Sequence, residues 1–473
     1  MTHLFALAVL VLLQGILLKG FPHAFSSLEV QLTLNFGFLL LAAYLLGEWT
    51  VRIRLPKLTG YIFAGILLGP DALGYFSRES VEALLFIDEL ALTFIALSAG
   101  LELDMEDLRK RWRLLAGLTL AIPVTVFTMV FPFVYFALPQ LGLLPALPPV
   151  QRAVLAALLG TLAIARSPSS TLAVIKECRA RGSFSESALC VTVVTDIFVI
   201  VLFSFFLSLG WAAGPGGPSF EMGLLMTILA GISLSLVLGF LLAWFMSVYV
   251  RYIRTESIFF LLCVAFVVTR FSLAFPEQSA RLGGVSLHLD PLLICMSAGF
   301  FLRNRFRRGA FYERAIEGSF LPIFVVFFAL AGTRLDLEAF GSVWRWALLF
   351  VAIRMLGIFL GSHGVLWRLR APFRMGSFYG MSFITQAGVS IGLASMIPRR
   401  FPVGGEGLYT LVLAVIVINQ IVGPIAFKFA LEQSGEAKAA RGRLSERSVP
   451  EEGGPEVRHQ GSVTSPPKAE KNS

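Results

Sequence analysis

Long apolar segments alternate with short polar stretches along the whole chain, and this alternation limits the possible folds more than any other feature. A helix of about 20 apolar residues spans the hydrocarbon core of a bilayer and satisfies its own backbone hydrogen bonds there. The chain is 56% hydrophobic and 15% charged, which is typical of polytopic membrane proteins. We distinguish fourteen apolar segments, near residues 3–21, 30–51, 57–76, 82–101, 114–138, 150–175, 186–210, 221–250, 256–275, 285–302, 316–333, 342–366, 374–397 and 406–431.

These segments predict an all-α polytopic membrane protein with 13 core transmembrane helices and three regions. Residues 1–28 hold the first apolar segment, which is interpreted as an extra transmembrane helix or a signal sequence. Residues 29–432 form the transmembrane domain. Residues 433–473 are polar and rich in Gly, Pro and charged side chains, which predicts a disordered tail.

Basic residues cluster in every second loop, and this bias predicts the orientation of the chain. The positive-inside rule places the basic loops, and with them the C-terminal tail, in the cytoplasm. The protein is therefore expected in the cell inner (plasma) membrane. The net charge of +9 is explained by these loops, so no nucleic acid partner is expected. The basic loops contain Arg52, Arg54, Lys57, Arg109, Lys110, Arg111, Arg113, Lys176, Arg179, Arg181, Arg251, Arg254, Arg303, Arg305, Arg307, Arg308, Arg314, Arg368, Arg370 and Arg374.

An internal repeat relates the two halves of the chain. Residues 99–106 and 331–338 both read Ala-Gly-x-x-Leu-Asp-x-Glu at the end of an apolar segment. One segment earlier, residues 64–68 and 298–302 both read Ala-Gly-x-x-Leu. The matching segments are seven spans apart, an odd number, so the halves are inverted relative to each other in the membrane. Inverted repeats with interrupted helices near the midplane are typical of secondary transporters. The predicted interruptions are Ala165–Ser169, which contains Pro168, and Ile384–Ser390.

Asp196 lies in the middle of an apolar segment, where a carboxylate is costly and by default marks an ion or proton site. A carboxylate that loses its hydration also takes up a proton more readily, so Asp196 is suited to exchanging a proton for a cation. Arg354 is similarly central in its own segment, and a buried guanidinium needs an anionic partner. We therefore expect an ion pair between Arg354 and Asp196. Arg166 lies in the first interruption and could pair with Asp196, line an aqueous funnel or bind an anion.

The sequence contains none of the motifs that bind nucleotides, metals or hydrolytic substrates. The four Cys residues lack the paired spacing of a metal site or a disulfide framework. We expect no cofactor and no enzymatic activity.

The motifs together resemble the monovalent cation:proton antiporter superfamily, particularly its second family of bacterial sodium or potassium/proton exchangers. The similarity extends over about residues 30–432. It implies the sodium/proton antiporter fold, with a dimerisation domain, two crossed interrupted helices and a homodimer. It also implies that Asp196 binds the ion or proton and that Arg354 pairs with it or stabilises the crossing. The motifs are Gly60-Tyr61-x-x-Ala64-Gly65-x-x-x-Gly69-Pro70, Ala99–Asp104, Arg166-Ser167-Pro168, the Asp196 segment and Phe327–Gly332.

Two positions depart from the family pattern. Thr195 stands where many members have an acidic or amide residue directly before the Asp, and a single carboxylate favours electroneutral, one-for-one exchange. Arg166 stands where a small polar residue is usual, and its positive charge would repel a cation. We expect H+ and Na+ or K+ as substrates, with polar ligands from Thr195, Ser167 and Gln386 beside Asp196.

Two alternatives remain open. One is an anion or organic-acid transporter on the same fold, which the presence of both Arg166 and Arg354 would suit. The other is a non-transporting membrane sensor or assembly protein, in which an Asp196–Arg166 pair locks the core.

Overall fold

The protein is helical throughout the part that the computed structural model describes, which comprises residues 2–20, 28–137, 148–212, 222–252, 257–283, 289–335, 337–386, 389–401 and 405–437. Numbered in chain order, the helices of this part are α1 (Thr2–Gly20), α2 (Leu28–Arg52), α3 (Lys57–Leu68), α4 (Arg78–Ala83), α5 (Leu85–Glu102), α6 (Met105–Lys110), α7 (Trp112–Ala137), α8 (Pro149–Ile164), α9 (Pro168–Cys178), α10 (Ser183–Ala212), α11 (Met222–Tyr252), α12 (Ser257–Gly283), α13 (Pro291–Asn304), α14 (Gly309–Glu317), α15 (Phe320–Thr333), α16 (Leu337–Arg368), α17 (Phe373–Ser382), α18 (Val389–Ala394), α19 (Met396–Arg400) and α20 (Gly405–Ser434).

Seven of the described helical stretches are long and apolar enough to cross a membrane by themselves. A bent pair, Gly309–Ile316 with Phe320–Thr333 at 66°, would make an eighth span. The fold is therefore that of a multi-pass integral membrane protein. The seven stretches are Val30–Arg52, Trp112–Ala137, Pro149–Cys178, Ser183–Leu207, Leu229–Tyr252, Phe340–Arg368 and Gly405–Ser434.

Each of the fourteen predicted apolar segments coincides with a helix or a broken helix, so their helical state is confirmed. The number of spans is not fixed by this agreement, because α3, α13 and α15 have only 12, 14 and 14 residues. The segment predicted at 57–76 is too long: α3 ends at Leu68, where Gly69 and Pro70 follow. Proline cannot continue a helix, and this explains the early end. The thirteen-helix count stays a prediction.

The glycines of the repeated motifs allow two pairs of helices to pack closely. A Cβ atom on Gly65 of α3 would lie 2.0 Å from a backbone oxygen of α15, and one on Gly332 of α15 would lie 2.2 Å from a backbone oxygen of α3. The equivalent residues, Gly299 of α13 and Gly100 of α5, show the same relation at 2.2 and 1.9 Å. Small residues let backbones approach in this way in membrane proteins. The first helix of each predicted repeat thus packs on the second helix of the other.

The first helix, α1, is attached to α2 by buried polar contacts. The side chain of Gln14 donates a hydrogen bond to Asn35 of α2 at 2.8 Å. The Tyr75 hydroxyl, in the turn that follows α3, donates to the Val11 carbonyl at 3.0 Å. The interpretation of residues 1–28 as an extra transmembrane helix or a signal sequence stays a prediction. The predicted disordered tail lies, from residue 438 onward, outside the described residues.

Charged contacts tie α9 and α20 to α3 and α5 on the side that is predicted to be cytoplasmic. Lys176 of α9 forms an ion pair with Glu102 at the end of α5. Glu177 of α9 accepts hydrogen bonds from the Lys57 backbone N–H at 2.8 Å and from the Lys428 ammonium of α20 at 3.4 Å. Helices from distant parts of the sequence are therefore held together at this end of the molecule.

The last described residues return to the start of α10, the helix that carries Asp196. Glu436 accepts hydrogen bonds from the backbone N–H groups of Phe184 and Ser185 at 2.7 and 2.9 Å. The first N–H groups of a helix have no partner within the helix, and a carboxylate there also suits the positive end of the helix dipole. Glu436 is therefore a cap supplied from the far end of the chain.

Candidate functional site

The first helix break separates α8 from α9 at Ala165–Ser167, within the predicted interruption. Pro168 begins α9 and disfavours a helical conformation at the preceding residue. Ser167 has extended backbone angles, and its hydroxyl caps α9 by accepting a hydrogen bond from the Ser170 N–H at 3.2 Å. The sequence Arg-Ser-Pro therefore stops one helix and starts another inside the protein.

The second break follows α17, which ends at Ser382. Phe383–Gln386 are not helical, and α18 begins at Val389. Residues 387 and 388, the remainder of the predicted interruption, lie outside the described residues. Both breaks are buried, so their free backbone groups need partners from the protein.

Arg354 of α16 supplies these partners at both breaks. Its Nε donates to the Ala163 carbonyl at 2.7 Å, and its Nη2 donates to the Ala165 carbonyl at 3.0 Å. Its Nη1 donates to the Ile384 carbonyl at 2.8 Å, and Nη2 also approaches the Phe383 carbonyl at 3.5 Å. The last carbonyls of a helix lack partners and carry the negative end of its dipole, so a fully buried guanidinium is stabilised there.

The predicted ion pair between Arg354 and Asp196 is not present. Both residues are described, and the donors of Arg354 point to backbone carbonyls rather than to the carboxylate. The expectation assumed that a buried positive charge needs a negative side chain. Four partial negative charges at two helix ends fulfil that requirement here.

Gln386 lies in the second break and connects it to two helices, α8 and α20. Its Nε2 donates to the Leu162 carbonyl of α8 at 2.8 Å, and its Oε1 accepts from the Asn419 Nδ2 of α20 at 2.9 Å. Gln386 is not among the residues that line the cavity described below, which Asp196 does line. Its contacts are those of a residue that holds the breaks together.

Asp196 lies in the middle of α10 and is 8% exposed. Its Oδ1 atom is buried and has no hydrogen-bond partner among the described residues. The carboxyl group lines a cavity of about 60 Å³, which is large enough for an ion with some of its water. Unpaired polar atoms are rare inside proteins, so this one indicates a place for a ligand. The cavity is lined by Leu92, Ile95, Ala96, Ala99, Arg166, Ser167, Pro168, Ser169, Asp196, Ile197, Ile200, Asp290, Leu292, Leu293 and Met296.

Arg166 lines the same cavity and is 1% exposed. Its guanidinium lies 4.1 Å from the centre of the Phe383 ring, and its Nη1 donates a long hydrogen bond of 3.4 Å to the Thr195 hydroxyl. Its Nε and Nη2 have no hydrogen-bond partner among the described residues. Arg166 and Asp196 interact electrostatically, although the Asp196 Oδ1 atom accepts no hydrogen bond from the Arg166 guanidinium.

The two predicted hydroxyl ligands are placed differently. Ser167 lines the cavity, although its hydroxyl also caps α9. Thr195 does not line the cavity, and its hydroxyl donates to the Val191 carbonyl at 2.6 Å while it accepts from Arg166. Of these two hydroxyl residues, Ser167 is therefore the one that lies at the cavity together with Asp196 and Arg166.

Asp290 is the cavity residue that sequence reasoning missed. It caps α13, and its Oδ1 accepts hydrogen bonds from the Leu292 and Leu293 N–H groups at 2.9 and 3.4 Å. An Asp directly before a Pro at the start of an apolar segment is a recognisable cap signal. The signal predicts the start of a helix but not which neighbouring helix the carboxylate faces.

A family model matches most of the chain. The model, described as sodium/hydrogen exchanger, transmembrane, covers residues 37–433. The chain therefore belongs to this family of monovalent cation:proton antiporters, which are transporters and not enzymes, and the resemblance predicted from its motifs is confirmed.

Particular relatives cover most of the chain. The probable Na+/H+ antiporter GerT of Bacillus cereus is 25% identical over 349 residues, which cover 72% of this chain and 84% of GerT. The Na+/H+-K+ antiporter GerN of Bacillus cereus is 22% identical, and the match covers 87% of this chain and 100% of GerN. The solved structure of the sodium proton antiporter MjNhaP1 from Methanocaldococcus jannaschii is 17% identical with a TM-score of 0.64, covering 89% of this chain and 98% of MjNhaP1. This structural likeness shows a common fold.

Proposed function

We propose that the protein exchanges protons for Na+ or K+ by alternating access, with Asp196 as the carrier. The observation that carries this proposal is the buried Asp196 oxygen without a partner, which lines a cavity beside a helix break. A carboxylate in this position binds either a proton or a cation, and competition between the two couples their movements. The family membership and the names of GerT and GerN support cation:proton exchange as the activity.

The residues around Asp196 have separate roles in this proposal. Ser167 lines the cavity and serves as a cation ligand. Thr195 and Gln386 position the site. The Thr195 hydroxyl accepts a hydrogen bond from Arg166, and the Gln386 amide donates one from the second break to the Leu162 carbonyl of α8. Arg354 stabilises the crossing of the two breaks, and Arg166 is the positive charge that the cation competes with.

Exchange of one proton for one cation follows from the single carboxylate on α10. Thr195, the residue before Asp196, cannot carry a second negative charge. Each transport step of Asp196 then carries either one proton or one cation, and the exchange is electroneutral.

The alternating-access proposal rests on two observations. The matched glycine contacts of α3 with α15 and of α13 with α5 support an inverted repeat. The ion pair of Lys176 with Glu102, together with the contacts of Glu177, joins distant helices at one end of the molecule. We assign this end to the cytoplasmic side of a plasma (inner) membrane, with the tail on the same side, as the positive-inside pattern predicts. We also propose that two chains form a homodimer, as the family resemblance predicts.

Asp196→Asn in proteoliposomes tests the proposal. Asparagine keeps the shape of the side chain but cannot exchange a proton for a cation, so Na+- and K+-driven proton flux is expected to fall to the level of empty vesicles. Asp107→Asn is the control, because Asp107 lies at the surface, where it pairs with Lys110. Normal flux by Asp196→Asn would refute the mechanism.

A second candidate, anion transport, is favoured by one observation: two buried donors of Arg166, Nε and Nη2, have no hydrogen-bond partner among the described residues. If an anion is carried, chloride or a small carboxylate will drive flux in vesicles that contain no Na+ or K+, and Arg166→Gln will abolish it. Flux that needs Na+ or K+ excludes this candidate.

A further inference from the structure

The cavity beside Asp196 receives a second carboxylate, that of Asp290, from a different helix. Asp290 stands before the first turn of α13, 94 residues further along the chain and outside the break and the α10 helix that form the rest of the charged lining. One of its oxygens, Oδ1, is committed to the cap of α13. The other oxygen is therefore the atom that can approach a ligand.

The charges that line the cavity balance a bound monovalent cation only if Asp290 is counted. Three charged side chains line it: Asp196 and Asp290, each −1, and Arg166, +1. Their sum is −1, and without Asp290 the sum would be zero. A neutral, apolar cavity offers a cation no compensation for its lost water, whereas a net charge of −1 does.

The orphaned Oδ1 atom of Asp196 points to the same conclusion from geometry. This atom is buried, has no partner among the described residues and belongs to a side chain that lines the cavity. Asp290 lines the same cavity and interacts electrostatically with the Asp196 carboxylate, and two like charges that share a cavity are stabilised when a positive ion lies between them.

We propose that Asp290 is a second cation-holding carboxylate, which offsets the charge of Arg166 and makes the cavity bind Na+ or K+. In this assignment Asp196 alone alternates between proton and cation, so the one-for-one exchange is unchanged. This inference rests on the proposed function, because it concerns how the same cavity attracts its ion.

The test is direct binding of Na+ and K+ to the purified full-length protein, measured by isothermal titration calorimetry in detergent. Asp290→Asn removes the charge and keeps the helix cap, because Asn is as good an N-cap as Asp. A unit charge about 6 Å from the ion, at an effective dielectric constant of about 20, changes a binding constant roughly a hundredfold. Because water in the cavity screens part of this, we expect a loss of affinity of at least about tenfold.

Arg166→Gln in the Asp290→Asn background separates this role from a purely structural one. The double substitution returns the lining charge to −1, and affinity is expected to recover by at least about fivefold relative to Asp290→Asn alone. Asp104→Asn is the matched control, since Asp104 caps α6 but lies away from the cavity. Its affinity for both ions should equal that of the unaltered protein.

Three results would overturn the inference, and they differ in whether they also refute the proposed function. If the unaltered protein and Asp290→Asn bind the ions equally, or if the double substitution fails to recover affinity, Asp290 is only a cap and the proposed function stands. If the unaltered protein binds neither Na+ nor K+, the assignment of Asp290 and the proposed function both fail.

Discussion

Arg354→Lys separates a bridging role of Arg354 from a role as counter-charge to Asp196. Lysine keeps the positive charge but has three donors on one nitrogen instead of a planar fork. The guanidinium reaches carbonyls on both breaks, at 2.7, 2.8 and 3.0 Å, with a fourth at 3.5 Å. An ammonium group can serve one break but not both.

The expected loss follows from the number of bonds that lysine cannot replace. At least two hydrogen bonds to buried carbonyls disappear, and each bond to a charged group contributes about 1.5–3 kcal/mol. Arg354→Lys should therefore lower the free energy of unfolding by about 3–6 kcal/mol, which for most proteins is a large share of the total. A counter-charge to Asp196, by contrast, would be preserved by lysine.

Thermal unfolding of the detergent-solubilised protein measures this effect, with Arg345→Lys as the control. Arg345 lies on the same helix but is exposed and stacks on Trp344. We expect the melting temperature of Arg354→Lys to fall well below that of both the control and the unaltered protein. An unchanged melting temperature, together with unchanged proton flux, would refute the bridging role.

Two further substitutions test the packing and the first break. Gly65→Ala places a Cβ atom 2.0 Å from a backbone oxygen of α15, so folded protein should be recovered in much lower yield by size-exclusion chromatography; Gly37→Ala, where the space is open, should behave normally. Equal yields would mean that α3 and α15 are not in close contact. Ser167→Ala removes the cap of α9 and should cost about 1 kcal/mol of unfolding free energy, seen as a lower melting temperature. The same change at the exposed Ser395 should leave melting unaltered, and a Ser167→Ala protein as stable as this control would show that the cap is dispensable.

The helices and the two breaks could be predicted because their signals are local. The length of the apolar segments predicted the helices, and Pro168 predicted the position of the first break. Asp196 could be singled out for the same reason, since a carboxylate in an apolar segment is visible in the sequence itself. These parts of the site needed no knowledge of how the helices pack.

The contacts between distant side chains and helices at the site could not be predicted. They depend on how the helices pack and on backbone atoms, which are the same in every residue. Arg354 binds backbone carbonyls, and no side chain in the sequence marks which carbonyls lose their helical partner. Asp290 looks like an ordinary helix cap until the start of α13 is placed at the cavity that Asp196 also lines. The same limit applies to Gln386, whose polar side chain suggested an ion ligand but is used between helices.

The cap that Glu436 provides has a practical consequence for shortened forms of the protein. A chain cut before Glu436 loses the carboxylate that holds the first turn of α10, whereas a chain cut after Ala437 keeps it. A deletion that starts after Ala437 thus removes only the polar tail. A deletion that starts before Glu436 also loosens the first turn of α10, the helix that carries Asp196. A change in ion exchange after the longer deletion would reflect the start of α10 and not a function of the tail.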